Sequence, residues 1–267
     1  MMQFDERKYE EIKRNNKRAV VLLSGGLDST TTLAVALDQG YDVVALSFDY
    51  GQRHKKELEN GRRIARYYDI DRKVFKIDLT QIGGSALTDD NIQIPQRRLE
   101  EIVSIPSTFV PSRNMIFLSI ASSYAYVNRI DNIFIGVNAI DYSGYPDCRP
   151  EFITSMQDSI NKALLKDIKI HAPLIDLGKK EIVELGMRLK APLYLTHSCY
   201  EGREKACGMC DSCQLRLKGF MEAGIPDPVE YEKYPDWYEE WYEEYLRKTE
   251  KMFNIKGERA NEGRDSR

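Results

Sequence analysis

A glycine turn rich in hydroxyl groups separates an apolar segment from a helical pattern near the start of the chain. The turn, Ser24–Thr30, contains two adjacent glycines and one carboxylate, and it follows the apolar residues Ala19–Leu23. Adjacent glycines adopt backbone torsions that side chains forbid, so such a turn can fold closely around a phosphate group. A helix that begins near Ser29 would direct its free N–H groups and the positive end of its dipole into the turn. The pattern predicts a phosphate site, although a plain strand-to-helix turn with a capping Asp or Ser has the same composition.

Four cysteines are crowded into a short segment near the C-terminal third of the chain. Cys199, Cys207, Cys210 and Cys213 are separated by seven, two and two residues. Four thiolates at this spacing can converge on a tetrahedral metal site, and structural Zn²⁺ is favoured because four sulfurs fill its coordination shell. An iron–sulfur cluster is the alternative. The ferredoxin pattern has a further Cys-Pro nearby, whereas Gln214 follows the last cysteine here.

Three further blocks combine charged, aromatic and hydroxyl side chains in irregular segments. They are Asp49–His54, Val110–Asn114 and Asp141–Phe152. The guanidinium of Arg113 can bind phosphate or carboxylate in a forked geometry. The third block offers aromatic rings, carboxylates and a guanidinium, which suit a planar heterocycle. Each block taken singly is equally typical of a turn, a helix cap or a solvated face.

No general base stands out in the sequence. His54 and His171 are candidates by residue type, but a single histidine is more often structural. Cys148 lies apart from the other thiols, and its default interpretation is a small buried apolar residue.

The elements that must position these blocks alternate between strands and helices. The predicted strands are Arg18–Leu23, Asp42–Phe48, Lys73–Ile77, Asn132–Val137 and Ile168–Ile170. The predicted helices are Ser29–Gln39, Lys55–Tyr68, Asn114–Asn128, Glu151–Leu164 and Lys179–Arg188. This alternation predicts an α/β fold with a doubly wound parallel sheet, whose carboxyl edge is the usual ligand site.

One long segment interrupts the alternation. Leu79–Ser112 contains two adjacent glycines and three prolines and is too long for an ordinary connection. Long loops of this kind are commonly functional lids or mobile insertions. We therefore expect a lid or a mobile insertion here.

Composition divides the chain into three predicted parts. A charged helix occupies residues 1–17, the α/β domain with its cysteine segment 199–213 occupies residues 18–225, and an aromatic C-terminal helix with a polar tail occupies residues 226–267. Trp237, Trp241 and Tyr245 recur every fourth residue and share one helix face, which we expect to pack on the domain or on a second subunit. The tail is expected to be disordered from Lys256 onward.

Charge and hydropathy argue against two classes of partner. The net charge is −3 at pH 7, so no global basic field attracts nucleic acid. No apolar run approaches the length of a membrane span, and the charged N-terminus lacks the apolar core of a signal peptide. Clustered thiols fit a reducing compartment better than a secreted disulfide scaffold. We expect a soluble cytoplasmic protein with no membrane anchor and no stable nucleic-acid partner.

The strand, the Ser-Gly-Gly-x-Asp-Ser turn and the following helix together resemble the PP-loop of ATP pyrophosphatases, which cut ATP between its α- and β-phosphates. The lysine-bearing Gly-Lys-Ser/Thr loop of P-loop enzymes does not occur in the sequence. The resemblance implies that the turn holds pyrophosphate and that Asp28 orients it through Mg²⁺. The implied ATP site consists of Leu23, Ser24, Gly25, Gly26, Leu27, Asp28, Ser29, Thr30, Thr31, Arg113 and Asn114, with Ser24, Asp28 and Ser29 as catalytic residues. Arg113 and Asn114 could serve either the nucleotide or the substrate.

Further motifs extend the resemblance over Arg18–Gly224. Together with the turn and the thiols, His171–Leu174, Lys179–Ile182 and Cys207–Cys213 closely resemble the QueC family of 7-cyano-7-deazaguanine synthases. The resemblance implies a ligase that uses ATP and ammonia to convert 7-carboxy-7-deazaguanine to the amide and then to the nitrile, through adenylated intermediates. It also implies structural Zn²⁺, ATP with Mg²⁺, and a homodimer that serves queuosine or archaeosine biosynthesis. The residues first expected at the base are Tyr142, Tyr145, Asp147 and Arg149.

Two other functions stay open at this point. A PP-loop tRNA-modifying enzyme of the thiolation or lysidine type would need a basic face, for which Arg62, Arg63 and Arg66 are the local candidates. Thiolating relatives that depend on an iron–sulfur cluster would hold it at the four cysteines. A zinc-knuckle RNA-binding module would bind RNA without cleaving ATP, which leaves the Ser24–Thr30 turn unexplained.

Overall fold

The computed structural model describes residues 17–53, 55–96, 105–139 and 145–262, and this part of the chain contains one five-stranded sheet. Each strand is parallel to its neighbours. The strands are β1 (Arg18–Leu22), β2 (Asp42–Asp49), β3 (Asp71–Lys76), β4 (Asn132–Phe134) and β5 (Lys169–His171), in the spatial order β3-β2-β1-β4-β5. The predicted doubly wound parallel sheet is confirmed.

Helices cover both faces of this sheet. The described helices are α1 (Leu27–Asp38), α2 (Lys56–Tyr67), α3 (Arg113–Val127), α4 (Pro150–Leu164), α5 (Lys179–Arg188), α6 (Asp211–Glu222) and α7 (Asp236–Glu262). Successive side chains of a strand point to opposite faces, so strands that are apolar throughout need cover on both sides. Val20 and Leu46 pack with α3 and α4 on one face, and Val21 and Ala45 pack with α1 and α2 on the other.

The direction of strand order reverses at β1. The chain proceeds from β1 to β2 and β3 on one side and then crosses to β4 and β5 on the other. Ligands of doubly wound sheets bind outside the carboxyl ends of the strands at this position. Ser24–Thr30 follows β1, and Gly136 follows β4, so both segments arrive at one crevice. A Cβ atom at Gly136 would lie 2.9 Å from Thr32 Oγ1 and 3.0 Å from the Asp28 backbone, so α1 packs directly on the segment after β4.

Two predicted strand boundaries differ from the structure by more than one residue. β4 ends at Phe134 rather than at Val137, because the chain passes under the first turn of α1 at Gly136. β3 begins at Asp71, before the predicted Lys73, because its polar residues pair with β2 through the backbone although most of their side chains are exposed. In both cases a contact distant in sequence sets the boundary of the strand, which is the last residue of β4 and the first residue of β3.

The described part of Leu79–Ser112 is packed into the domain. Ser85, Ala86 and Leu87 are buried, and the Ala86 N–H donates to the Ser107 carbonyl oxygen at 2.7 Å. These residues therefore belong to the packed domain, and the lid or mobile insertion expected for the whole segment stays a prediction. Residues 97–104 lie outside the described residues.

Helix α7 packs against the clustered cysteines. Trp237 and Trp241 lie with Tyr231 and Tyr238 in the apolar cluster that contains all four cysteines of the segment 199–213. Their ring contacts are close, with the Tyr238 and Trp241 centroids 5.2 Å apart. This part of the predicted aromatic face therefore packs on the domain.

The end of α7 differs from the sequence prediction. The helix continues to Glu262, past the expected start of the disordered tail at Lys256, because Lys, Glu, Arg and Ala all favour helix and no proline interrupts them. The predicted N-terminal helix falls on residues 1–16, which lie outside the described part of the chain, as do residues 263–267. Among the described residues, no helix combines the length and the apolar character that crossing a membrane requires.

Candidate active site

The side chain of Ser29 shapes the turn after β1. Its Oγ accepts the N–H groups of Ser24 and Gly25, at 3.2 and 3.3 Å, and donates to the Gly26 carbonyl oxygen at 3.2 Å. Gly26 stands at the N-cap of α1 and has no side chain to cap the helix, which suits an anion at this helix end. Gly25 has a φ of +103°, and a Cβ atom there would lie 2.2 Å from the Glu57 carbonyl oxygen. Helix α2 therefore closes one side of the turn.

Replacing Gly25 with Ala is expected to disrupt the turn. The left-handed backbone costs about 1–2 kcal/mol for a residue with a Cβ atom, and the new methyl group would overlap the α2 backbone at Glu57 and Gly61. We expect the Tm to fall by more than about 5 °C and calorimetry to show weaker pyrophosphate binding. Gly83→Ala is the matched control, because Gly83 has a φ of +68° and nothing lies within 4 Å of its added Cβ. Equal effects of the two substitutions would contradict the close packing of α2 on the turn.

Asp28, in the first turn of α1, is held by two other elements. Its Oδ2 accepts hydrogen bonds from Lys179 Nζ at 2.7 Å and Asn138 Nδ2 at 3.1 Å. Lys179 is the first residue of α5, and Asn138 follows β4. Asp28 Oδ1 is buried and has no hydrogen-bond partner among the described residues. A carboxylate with one available oxygen fits the hard cation Mg²⁺, and the adjacent ammonium supplies positive charge that the turn itself lacks.

A crevice of about 260 Å³ lies at the carboxyl edge of the sheet. The predicted site residues that line it are Leu23, Ser24, Gly26, Leu27, Asp28, Ser29, Arg113, Asn114 and Tyr145. Gly25, Thr30 and Thr31 are not among the lining residues. Thr30 Oγ1 donates back to the Gly26 carbonyl oxygen at 2.8 Å, and Thr31 is fully buried. The structure therefore brings most of the predicted phosphate residues to one surface, with the two threonines supporting the helix behind it.

The guanidinium of Arg113 stands beside two tyrosine rings. Its Nη1 is 3.5 Å from the Tyr50 hydroxyl oxygen, and its central carbon is 6.0 and 5.9 Å from the ring centroids of Tyr50 and Tyr145. Burial lowers the pKa of Arg113, but the two tyrosines and Asp147 outweigh burial and hold that pKa above its ordinary value. Burial raises the pKa of both tyrosines, so their hydroxyls stay neutral. The crevice wall therefore includes a permanent positive charge.

The four residues expected at the base are not brought together. Tyr145 lines the crevice. Asp147 instead accepts the Asn114 N–H at 3.1 Å and so caps the first turn of α3. Arg149 is exposed, donates to a backbone carbonyl and does not line the crevice. Tyr142 lies outside the described residues. Tyr145 is therefore the one of these four, within the described part of the chain, that is placed to touch a ligand.

Of the two histidine candidates, His171 lies away from the crevice. The His171 ring stacks on Phe134 with centroids 4.5 Å apart, and its Nε2 lies 3.0 Å from Asn132 Oδ1. Burial lowers the pKa of His171, which favours a neutral ring in this packed position. His54 lies outside the described residues. Cys148 is buried, as predicted, and burial raises the pKa of its thiol to about 12.

The four clustered cysteines form a compact sulfur site. All are buried, and their Sγ atoms lie within 4.8 Å of one another. Cys207 Sγ and Cys213 Sγ are 3.9 Å apart, and tetrahedral zinc with bonds of about 2.3 Å would place its sulfurs roughly 3.8 Å apart. The N–H groups of Cys207 and Cys210 donate to Cys199 Sγ and Cys207 Sγ, both at 3.3 Å. Hydrogen bonds to sulfur favour the thiolate form, so the donor set fits a metal ion with four sulfur ligands.

The connector segment, Thr196–Cys199, joins the sulfur site to the phosphate turn. Its last residue is one of the four clustered cysteines. The His197 N–H donates to the Gly25 carbonyl oxygen at 3.0 Å, and Ser198 Oγ lies 3.5 Å from the Leu27 backbone nitrogen. A displacement of the cysteines is therefore expected to shift the connector segment and, through its two hydrogen bonds, the backbone of the turn.

A buried ion pair anchors the connector segment from α6. Arg216 and Asp227 have side chains that are 2% and 1% exposed, and they form two hydrogen bonds of 2.7 and 2.9 Å. Arg216 Nη1 also donates to Thr196 Oγ1 at 2.6 Å, and the Tyr231 hydroxyl donates to Asp227 Oδ2 at 2.6 Å. Removing only one partner of a buried, bidentate ion pair destabilises a protein strongly, because it leaves the other charge buried and unpaired. The chain after α6 thus holds the connector in place.

Sequence reasoning gave no specific role to several crevice residues, namely Tyr50, Asn138, Lys179, Ser198 and Tyr200. Asn138 follows the fourth strand, where the carboxyl edge of the sheet binds ligands, so its position contained a usable signal. Lys179 opens a predicted helix immediately after a glycine, but nothing in the spacing shows that it reaches Asp28. Ser198 and Tyr200 are placed by contacts distant in sequence, because Ser212 Oγ of α6 donates to the Ser198 carbonyl oxygen and the Tyr200 hydroxyl lies 3.2 Å from that of Tyr145.

A glycine turn at the switch point of a doubly wound parallel sheet, with a crevice at the carboxyl edge, defines an α/β protein of the class that binds ligands at this edge. The family model described as queuosine biosynthesis protein QueC matches residues 18–224, and the chain belongs to that family.

Curated relatives support this membership. Relatives named 7-cyano-7-deazaguanine synthase include one from Picrophilus torridus, 59% identical over 227 residues that cover 83% of this chain and 95% of the relative. Another, from Thermoplasma volcanium, is 57% identical over 227 residues that cover 83% and 94%. Among solved structures, the NMN synthetase from Francisella tularensis matches with a TM-score of 0.47 at 13% identity, covering 92% of this chain and 95% of that one.

Proposed function

We propose that this chain uses ATP to convert 7-carboxy-7-deazaguanine and ammonia to 7-cyano-7-deazaguanine. Curated relatives at 57–59% identity are named for this product. The observation that carries the proposal is the crevice itself. There the phosphate turn, the available oxygen of Asp28 and the guanidinium of Arg113 share one space.

The proposed reaction removes each of two oxygens as part of AMP. A carboxylate oxygen attacks the α-phosphorus of ATP, the bond to the bridging oxygen breaks, and pyrophosphate leaves. Ammonia displaces AMP and loses a proton, which gives the amide. The amide oxygen then attacks the α-phosphorus of a second ATP, the bond to the bridging oxygen breaks, and a second pyrophosphate leaves. Loss of both N–H protons and of AMP, which carries the amide oxygen away, leaves the nitrile. One acid, one ammonia and two ATP thus give one nitrile, two AMP and two pyrophosphates.

We assign the phosphate end of this reaction to the turn and its neighbours. The N–H groups of Gly25, Gly26 and Leu27, with the N-terminus of α1, would hold the departing pyrophosphate. Asp28 would hold Mg²⁺, which supplies positive charge at the phosphates, and Lys179 lies next to it. Catalysis would rest on positioning and charge stabilisation, because these residues present no strong base.

We further propose that the four cysteines hold a structural zinc ion, that the protein is a homodimer and that it acts in the cytoplasm. The zinc proposal rests on the sulfur geometry, which leaves no ligand position for a substrate. The dimer proposal rests on the number of large side chains on α7, of which Leu246 is 44% exposed.

The reaction is tested by supplying the purified protein with 7-carboxy-7-deazaguanine, ¹⁵N-ammonium, Mg²⁺ and ATP. We expect mass spectrometry to find a labelled nitrile, and chromatography to find two AMP for each nitrile formed. Omitting ammonium should abolish the nitrile. ADP as the sole nucleotide product would contradict the assignment of the turn, and salt-dependent RNA binding without ATP cleavage would favour an RNA-binding module instead.

A further inference from the structure

Arg113 is a partly buried cation without a carboxylate partner among the described residues. Its guanidinium contacts the Tyr50 hydroxyl, 3.5 Å from Nη1, and lies beside the rings of Tyr50 and Tyr145. The Asp147 carboxylate is near enough to help raise the pKa of Arg113, but it accepts the Asn114 N–H and forms no ion pair with the guanidinium in the described part of the chain. A guanidinium withdrawn from bulk water is stabilised when an anion completes its hydrogen bonds. Because Arg113 lines the crevice, a ligand that enters the crevice can supply that anion.

The surroundings of Arg113 are fixed before a ligand arrives. The Tyr145 hydroxyl lies 2.8 Å from Thr108 Oγ1 and 3.2 Å from the Tyr200 hydroxyl. The Tyr50 N–H donates to Gln52 Oε1 at 2.8 Å. Arg113 itself begins α3, so its backbone is set by the helix. A guanidinium held between two anchored rings is preorganised and loses little freedom when it binds.

The anion that fits this position is a carboxylate on an aromatic ring. The phosphates of a nucleotide can be bound by the N-terminus of α1 and by the ammonium of Lys179, so they do not need Arg113. Arg113 instead lies among aromatic side chains, where Phe117 stacks on Phe48 with centroids 4.1 Å apart and planes 4° apart. A carboxylate conjugated with a heterocycle lies close to the ring plane, so one planar guanidinium can bind both oxygens while aromatic walls contact the ring.

We propose that Arg113, positioned by Tyr50 and Tyr145, binds the carboxylate of the heteroaromatic acid and thereby distinguishes the acid from the amide of the second half-reaction. The proposal rests on the proposed function. A carboxylate offers two acceptor oxygens to the guanidinium, whereas a primary amide offers one acceptor and an NH₂ group that donates. The acid therefore binds through a charged pair of hydrogen bonds that the amide cannot form.

The test measures the two half-reactions separately, with the acid and with the synthetic amide as substrates. For Arg113→Gln we expect the KM of the acid to rise about 10- to 100-fold, at least about tenfold more than the KM of the amide, and the KM of ATP measured with the amide to change little. Calorimetry without ATP should show that Arg113→Gln also binds the acid about 10- to 100-fold more weakly than the wild type. Arg188→Gln, at the exposed end of α5, is the matched control and should leave the thermal unfolding and both KM values unchanged.

Two further variants separate charge from geometry. Arg113→Lys keeps the charge but loses the fork, so its acid KM should fall between those of the wild type and Arg113→Gln. Tyr145→Phe keeps the ring but loses the hydroxyl. It should raise the KM of the acid more than the KM of the amide. If Arg113→Gln raised the KM of acid and amide equally, or raised the KM of ATP, the proposal would be overturned and Arg113 would be assigned to the nucleotide. A wild-type protein that converts neither acid nor amide would instead refute the proposed function.

Discussion

Replacing Asp28 with Asn is expected to lower nitrile formation by about 1,000-fold or more without unfolding the protein. Asp28 Oδ2 is held by Lys179 and Asn138, while Oδ1 is buried with no hydrogen-bond partner in the described part of the chain. An amide has no charge to hold Mg²⁺ and would present NH₂ or an uncharged oxygen to the ammonium of Lys179. The measurement is the rate of AMP release and of nitrile formation at saturating substrates, with the Mg²⁺ concentration varied.

Two variants bracket this effect. Asp38→Asn changes an exposed carboxylate at the other end of α1 and should leave the rate near that of the wild type. Ser24→Ala removes the acceptor of the Gly26 N–H at 3.2 Å, so we expect it too to abolish measurable turnover while the fold remains. Wild-type rates for Asp28→Asn and Ser24→Ala would remove both residues from the site.

Removing the metal is expected to have the second large effect, because the sulfur site supports the phosphate turn. Structural zinc sites contribute on the order of 10 kcal/mol to folding in small domains. We therefore expect Cys210→Ser, or a strong chelator, to lower the Tm by at least about 10 °C. Pyrophosphate affinity should fall as well, since the connector segment that begins at Thr196 ends on a clustered cysteine and contacts Gly25 and Leu27.

Metal analysis and calorimetry check this expectation. The wild type should contain one zinc per chain, and Cys148→Ser, which changes a buried thiol outside the cluster, should keep that zinc. A metal-free wild type of full thermal stability would contradict the structural role. If the wild type contained iron and showed brown visible absorbance, the four cysteines would hold an iron–sulfur cluster instead of zinc. Loss of stability with unchanged pyrophosphate binding would show that the connector does not transmit the change.

Most of the sheet and the turn were predictable because their signals are short in range. Ala19–Leu23 is apolar throughout, which the structure explains by cover on both faces of β1. The glycine turn and the start of α1 lie within a few residues of each other, so the sequence prediction placed them nearly as observed. The end of β4 was missed because it depends on the contact between Gly136 and α1, which is distant in sequence.

The pocket for the base was predictable only in part. Tyr145 reaches the crevice as expected, but its neighbour Asp147 turns inward to cap α3, and Arg149 turns outward to solvent. These side chains, each two residues from the next, diverge because a short 3₁₀ turn, Pro146–Cys148, rotates successive side chains around its axis. Sequence adjacency therefore did not translate into a shared surface.

The alternation of strands and helices, the glycine turn and the spacing of the four thiols can be read from the amino-acid sequence, because each follows from backbone preferences and residue types within a short stretch. Long-range packing is what brings Lys179 to Asp28, places Arg113 between Tyr50 and Tyr145, and sets the sulfur site beside the turn. Those contacts join segments far apart in the chain, and their geometry is set by how the helices pack on the two faces of the sheet.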